Sequence, residues 1–298
     1  FTTNTTLNDI TFNNNVKVCV APGVTVIVTN NVSTTSGHSL TLDVYGTLQF
    51  NNKPQFNSNL IVNIYSGGTL KSGASGGVDF AINGVTNTIT NNGALQVSVL
   101  DFINTGATNI IDNYGTFTIG SNINVGGTTT FRNNGTISVG ASYNNNSTSK
   151  YINCGTFNSS SGYNLGGGFV INTGTFNVLG GNIDMPNSSK IENYGTFFAS
   201  GSSTLNMNSS SSIFYNEGVA RITSGTVDGW LKGPTSSSKT GYFYVINGLN
   251  GNNASLGPNL DFKKMTSFSP DVLSGSQGQG QIFTNSSQKY VDASKTVT

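Results

Sequence analysis

Short runs in which apolar and polar residues alternate recur along most of this chain. Residues 111–119, Ile-Asp-Asn-Tyr-Gly-Thr-Phe-Thr-Ile, give the run in its clearest form. Its glycine returns at Gly23, Gly46, Gly68, Gly93, Gly115, Gly135, Gly155, Gly174, Gly195 and Gly218, at intervals of about 20–25 residues. Four residues before these glycines stand Cys19, Leu42, Ile64, Ile89, Ile111, Phe131, Tyr151, Val170, Ile191 and Phe214. Two residues after them, from the second copy on, stand Leu48, Leu70, Leu95, Phe117, Ile137, Phe157, Phe176, Phe197 and Ala220. Alternation on both sides of an Asn/Gly corner predicts strand, turn, strand. One copy cannot bury its apolar face alone, whereas stacked copies share a continuous core.

A third apolar pair follows eight to ten residues after the glycine: Ile123/Val125, Tyr163/Leu165, Ile183/Met185 and Leu205/Met207. Each coil thus supplies three short strands. The expected fold is all-β, a parallel β-helix of about ten coils, right-handed by the crossover rule for parallel strands. Residues 1–18 are expected to cap the first coil, 19–231 to form the helix, and 232–298 to form a C-terminal β cap and extension. The parity after Gly23 is shifted by one residue, which marks the first coil as irregular.

Composition narrows the functional classes. Only 8% of the 298 residues are charged and the net charge is +1, so no basic footprint for nucleic acid is expected. No apolar run has the length of a membrane-spanning helix, so no membrane insertion is expected. Asn, Ser, Thr and Gly supply the polarity, which suits an extracellular protein. Cys19 and Cys154 lie six coils apart in the stacked arrangement, roughly 29 Å at the strand spacing, beyond the ~7 Å reach of a disulfide. Two free thiols follow, with Cys19 read as a small buried hydrophobe.

Two residues before the glycine, Asn recurs at Asn91, Asn113, Asn133, Asn153, Asn172, Asn193 and Asn216. This position shares inward parity, and the row reads as a structural ladder of corner amides. The glycine that follows is expected to supply a positive φ at the bend. Two outward rows are the candidate binding residues. One is Thr116, Thr136, Thr156, Thr175 and Thr196, preceded by Thr47 and Thr69; the other is Asn124, Asn144, Asn164, Asp184 and Asn206. Tyr45, Tyr114 and Tyr194, just before the glycine, are expected to project outward at a corner.

Catalytic chemistry on a β-helix needs clustered carboxylates or a cation site with a basic neighbour. The 12 acidic residues do not cluster in the pattern, and no catalytic residue, metal ligand or cofactor motif is read from it. Asp112 and Arg132 are expected to pair across neighbouring coils.

The repeats Asn-Tyr-Gly-Thr-Phe (113–117 and 193–197), Asn-Asn-Gly-Thr-Ile (133–137) and Asn-Thr-Gly-Thr-Phe (172–176) carry a family likeness. Through them the chain resembles large β-helical cell-surface proteins of gliding and environmental Bacteroidetes. Residues 18–24, Val-Cys-Val-Ala-Pro-Gly-Val, are similar to the first turn of those proteins, and 257–262, Gly-Pro-Asn-Leu-Asp-Phe, to a segment that follows their helices. The likeness spans residues 10–262. It implies a secreted protein, often cargo of the type IX system, acting as an adhesin or surface-layer component. The expected role is a non-enzymatic module presenting a rigid polar face to glycans, surface polymers or other cell-surface proteins. A polysaccharide-active enzyme or lectin on the same scaffold, and an ice-binding protein, are the alternatives.

Overall fold

Each turn of the chain contributes three short strands, and equivalent strands stack in parallel from one turn to the next. The computed structural model describes residues 1–264 apart from 74–75, 147, 248, 251–254 and 257–258, together with three short strands between 283 and 296. The result is an all-β parallel solenoid. Its first face is a 12-stranded sheet running from Val16–Val20 through Thr108–Asn113 and Lys150–Asn153 to Ser255–Leu256. About twelve turns at ~4.8 Å each make a rod of roughly 58 Å.

The second face follows the glycine corner, with strands such as Thr25–Val28, Thr116–Ile119 and Gly241–Val245. The third carries the shortest strands, including Ile123–Asn124, Tyr143–Asn144 and Tyr163–Asn164. Alternation fixes the register, because a one-residue slip would turn every apolar side chain out to water. The core therefore reads as stacked columns. Leu95, Phe117, Ile137, Phe157, Phe176 and Phe197 form one column, with neighbours directly paired across the strands. All are buried, and each contributes about 1.5–3 kcal/mol by leaving water. The rings of Phe176 and Phe197 stack at 5.1 Å, as do those of Tyr143 and Tyr163 at 4.7 Å.

The pairing runs through both expected boundaries. Residues 1–18 join the stack: Thr5–Leu7 pairs with Thr25–Val28, Ile10–Phe12 with Val32–Thr34, and Val16–Val20 with Ser39–Val44. Their side chains line an apolar cavity of about 280 Å³ at this end of the core, with Leu7, Ile10, Phe12 and Val18 in its wall. Beyond 231 the solenoid also continues. Gly218 aligns with Gly241, because Val219 pairs with Tyr242, and Gly241–Val245 then pairs with Leu260–Lys264. Gly241 escapes the pattern because Lys239 and Thr240 stand where earlier copies have Asn and its neighbour. Of the expected C-terminal extension, three strands, Phe283–Thr284, Lys289–Val291 and Lys295–Thr296, form a small antiparallel sheet. The rest of 265–298, like most of 251–258, lies outside the described residues.

Two expectations for single residues are corrected. Cys19 is exposed, not buried. It pairs with Asp43, so Val18 takes the inward slot opposite Leu42. The corner at Pro22-Gly23 absorbs two extra residues, one on each side of Gly23, and Thr25 comes into line with Thr47. The recurring glycines, second, do not supply a positive φ: Gly23 has φ 73°, but Gly46, Gly68, Gly93, Gly115, Gly135, Gly155, Gly174, Gly195 and Gly218 are not among the positive-φ positions. They are glycine because a Cβ would collide with backbone of the preceding turn. At Gly155 it would overlap the carbonyl oxygen of Gly135, and at Gly135 that of Gly115.

Candidate functional site

The corner amides turn inward and form one continuous ladder. Asn91, Asn113, Asn133, Asn153, Asn172, Asn193 and Asn216 are buried. Each of the first six donates from Nδ2 to Oδ1 of the next at 2.7–2.8 Å. The same nitrogens reach backbone carbonyls of the next turn: Thr116 from Asn91 at 2.9 Å, Thr156 from Asn133 at 3.0 Å, Thr175 from Asn153 at 2.8 Å and Thr196 from Asn172 at 2.9 Å. These side chains satisfy polar groups that the strands leave open at the bend. In the first three turns Val20, Val44 and Ile64 occupy the same register position. A second inner corner, absent from the sequence reading, carries Asn87, Asn109 and Thr129. Asn87 Nδ2 lies 2.8 Å from Asn109 Oδ1, and Asn109 Nδ2 lies 3.0 Å from Thr129 Oγ1.

The threonine row lies on the second face. Thr25, Thr47 and Thr69 are followed, after Ala94, by Thr116, Thr136, Thr156, Thr175 and Thr196, all in direct register. Thr116 and Thr136 are exposed and the other three half-buried. The next outward row on that face runs Gln49, Lys71, Gln96, Thr118, Ser138, Asn158, Asn177 and Phe198, so no matched threonine pair spans the face.

The asparagine row lies on the third face and is likewise in register: Asp101, Asn124, Asn144, Asn164, Asp184 and Asn206. Asn144 Nδ2 reaches Asn124 Oδ1 at 3.1 Å, and Asn206 Nδ2 reaches Asp184 Oδ1 at 3.0 Å. Between these pairs Asn144, Asn164 and Asp184 line a shallow groove of about 220 Å³ with Ser142, Ser161 and Asn182. A larger groove, about 610 Å³, lies at the neighbouring corner of the early turns, walled by Thr34, Asn57, Asn83, Val85 and Asn104.

The first face carries what the sequence reading missed. Up to Gly218 its two outward positions fall five and three residues before the glycine. Over five successive strands they read Lys150 and Ile152, Phe169 and Ile171, Lys190 and Glu192, Ile213 and Tyr215, Trp230 and Lys232. The glycine arithmetic that found the inner rows locates the first four pairs too, but not Trp230 and Lys232, and the mixed identities hide the row. The Phe169 ring lies between two ammonium groups, Lys150 Nζ at 5.5 Å and Lys190 Nζ at 5.2 Å from its centroid. Lys232 Nζ lies 5.2 Å from the Trp230 ring, which is 44% exposed. Lys190 also pairs with Glu192 at 2.6 Å. At the strip's edge, Tyr194 donates to Glu192 at 3.2 Å and Tyr215 to Glu217 at 2.7 Å.

Earlier turns of this face hold ion pairs. Arg132 grips Asp112 in a fork, with Nη2 2.7 Å from Oδ2, as the spacing predicts. That hydrogen bond raises the Arg132 guanidinium above its ordinary value. Asp43 is enclosed, and burial alone would raise its carboxyl. The amide of Asn63 at 2.8 Å and the ammonium of Lys17 at 2.6 Å outweigh that and hold it below the usual range. Tyr45 and Tyr65 stack at 3.9 Å at the adjoining corner, and their hydrogen bond raises the Tyr45 hydroxyl to about 12. Tyr114 and Tyr194 project outward as expected.

Among the described residues no group of three or more His, Cys, Asp and Glu side chains is arranged to hold a metal ion, and no helix is long and apolar enough to cross a membrane. No protein-family model, curated protein or solved structure matches this chain.

Proposed function

We propose that this protein is an extracellular, non-enzymatic adhesive or structural module whose solenoid faces bind repeating polymers, glycans first among them. The observation that carries the reading is the one-to-one register of the outward rows. Asn144, Asn164 and Asp184 on the third face, and Thr136, Thr156 and Thr175 on the second, repeat one set of contacts at each turn, every ~4.8 Å. A partner that is itself a linear repeat meets the same amide or hydroxyl again and again, so weak contacts add along one rigid body. Apart from the Asp184 carboxylate, which accepts from Asn206, these amide-lined and hydroxyl-lined surfaces supply donors and acceptors without fixed charge, the chemistry that pairs with sugar hydroxyls. The likeness of the Asn-Tyr-Gly-Thr-Phe repeats to Bacteroidetes surface proteins supports a position on the cell exterior and secretion by the type IX route.

The test is a glycan array probed with the intact chain, followed by incubation with each bound polymer and measurement of its chain length. Retention on polymeric glycans with unchanged chain length is expected. Shortened polymer would replace this reading with that of a polysaccharide-active enzyme, and no glycan retention would remove it.

A further inference from the structure

We infer that the first-face strip from Lys150 to Trp230 is a binding track for a linear polysaccharide bearing carboxylates, such as a polyuronate. This rests on the glycan-binding reading and names the face and the polymer class.

Three observations converge. The strip is two side chains wide, about 7 Å, and spans four strand spacings, about 19 Å. Those proportions suit one extended polymer chain lying along the rod rather than a bilayer surface. Aromatic and aliphatic side chains form its floor: Phe169 and Ile213 are half-buried in the sheet surface, and Trp230 is the large exposed ring at its end. Faces of this kind stack against the apolar face of a sugar ring. Cations, finally, recur on alternate turns. Lys150, Lys190 and Lys232 stand on the first, third and fifth strands, so successive ammonium groups are about 10 Å apart along the rod. Lys150 and Lys190 rest against Phe169, and Lys232 against Trp230. A ring bound on the aromatic face would therefore bring its carboxylate beside an ammonium that is already in position. Glu192 is the one acid among the ten outward positions, and Lys190 neutralises it. The strip keeps a net positive charge in a protein whose total is only +1.

The test is equilibrium binding of the intact chain to polygalacturonate and to its fully methyl-esterified form, which keeps the backbone and removes the charge. Tighter binding to the charged polymer is expected, weakening as salt rises. Joint replacement K150Q, K190Q and K232Q should cost tenfold or more on polygalacturonate and little on the ester. Phe169→Ala and Trp230→Ala should each weaken both, while Asn30→Ala, at an exposed position in the first turns, leaves polygalacturonate binding unchanged. Circular dichroism confirms that each variant is folded. Equal binding of the two polymers, indifferent to the first-face variants, would overturn this inference and leave the general reading standing. Failure to bind either polymer or any glycan on the array would overturn both. Vesicles of anionic lipid, or self-association, competing for the same strip in place of polymer would also overturn it.

Discussion

Asn153 Nδ2 donates to Asn172 Oδ1 at 2.7 Å while also reaching the Thr175 carbonyl at 2.8 Å. Its own Oδ1 accepts from Asn133 Nδ2 at 2.7 Å, so one buried side chain joins three successive turns. Removing it leaves Asn133 Nδ2 without its amide acceptor and Asn172 Oδ1 without its donor. Asn153→Ala should destabilise the fold by about 1–3 kcal/mol. Asn91→Val leaves Asn113 Oδ1 and the Gly93 amide without their partners, but it strands no amide of the preceding turn and fills the slot as Ile64 does in the adjoining turn, so it should cost less. Urea unfolding of the two variants checks the order.

Gly155→Ala should destabilise by about 1–3 kcal/mol although its backbone conformation is open to alanine, because the new methyl overlaps the Gly135 carbonyl oxygen. Gly37, with φ 82° and open space around the site of a Cβ, offers the contrast. Gly37→Ala meets backbone strain without a clash, and Gly37→Asn should recover most of that loss, since Asn tolerates the left-handed region. Gly155→Asn should recover none. Thermal unfolding of the four variants separates the two causes.

The Tyr163 ring packs against Tyr143, Tyr151 and Phe176, and its buried hydroxyl has no hydrogen-bond partner among the described residues. Burial pushes the hydroxyl well above the usual tyrosine value. Tyr163→Phe keeps the ring contacts and relieves an unsatisfied polar atom, so stability should hold or rise by about 1 kcal/mol. A lowered melting temperature would contradict this account.

Asp43 links stability to acid. Its folded carboxyl sits below the usual range, so its contribution is fully present above the unfolded value of about 3.9 and is lost as pH falls through the lower folded value. Wild type should exceed Asp43→Asn in denaturation midpoint at neutral pH, and the gap should close only at pH values below the ordinary carboxylate range. A gap that is constant with pH would remove the linkage.

Cys19 and Cys154 should both react with a water-soluble thiol reagent in native buffer, since both are exposed. Titration without denaturant giving fewer than two thiols would place one of them under cover.

The repeat was legible because its constraints are strict. Phe117, Phe157 and Phe176 must alternate inward, Asn113 through Asn193 must pair with copies of themselves, and Gly135 and Gly155 admit no side chain. The first leaves only apolar residues at one spacing, and the other two leave a single residue type each over those turns. The first turn was harder to read because the Pro22-Gly23 corner takes two extra residues, the one before Gly23 exchanging the roles of Val18 and Cys19. The last turns were hidden because Gly241 keeps its place while the Asn before it is gone. The strip on the first face left the least trace. Outward positions answer to no packing rule, so Lys150, Phe169, Lys190, Ile213 and Trp230 share a column without sharing a chemical type.

The amide ladder also gives the rod an electrical sense. Each Nδ2 that donates to a backbone carbonyl fixes which end of its amide faces forward, and from Asn91 to Asn216 all point toward the later turns. Their dipoles add head to tail, as peptide dipoles do along an α-helix. The line opens at Asn91, whose Oδ1 accepts from the Gly93 amide, and closes at Asn216, whose Nδ2 donates to the Tyr242 carbonyl at 2.9 Å. The two ends of this otherwise repetitive rod are therefore not interchangeable, and a turn inserted within it must carry an amide facing the same way.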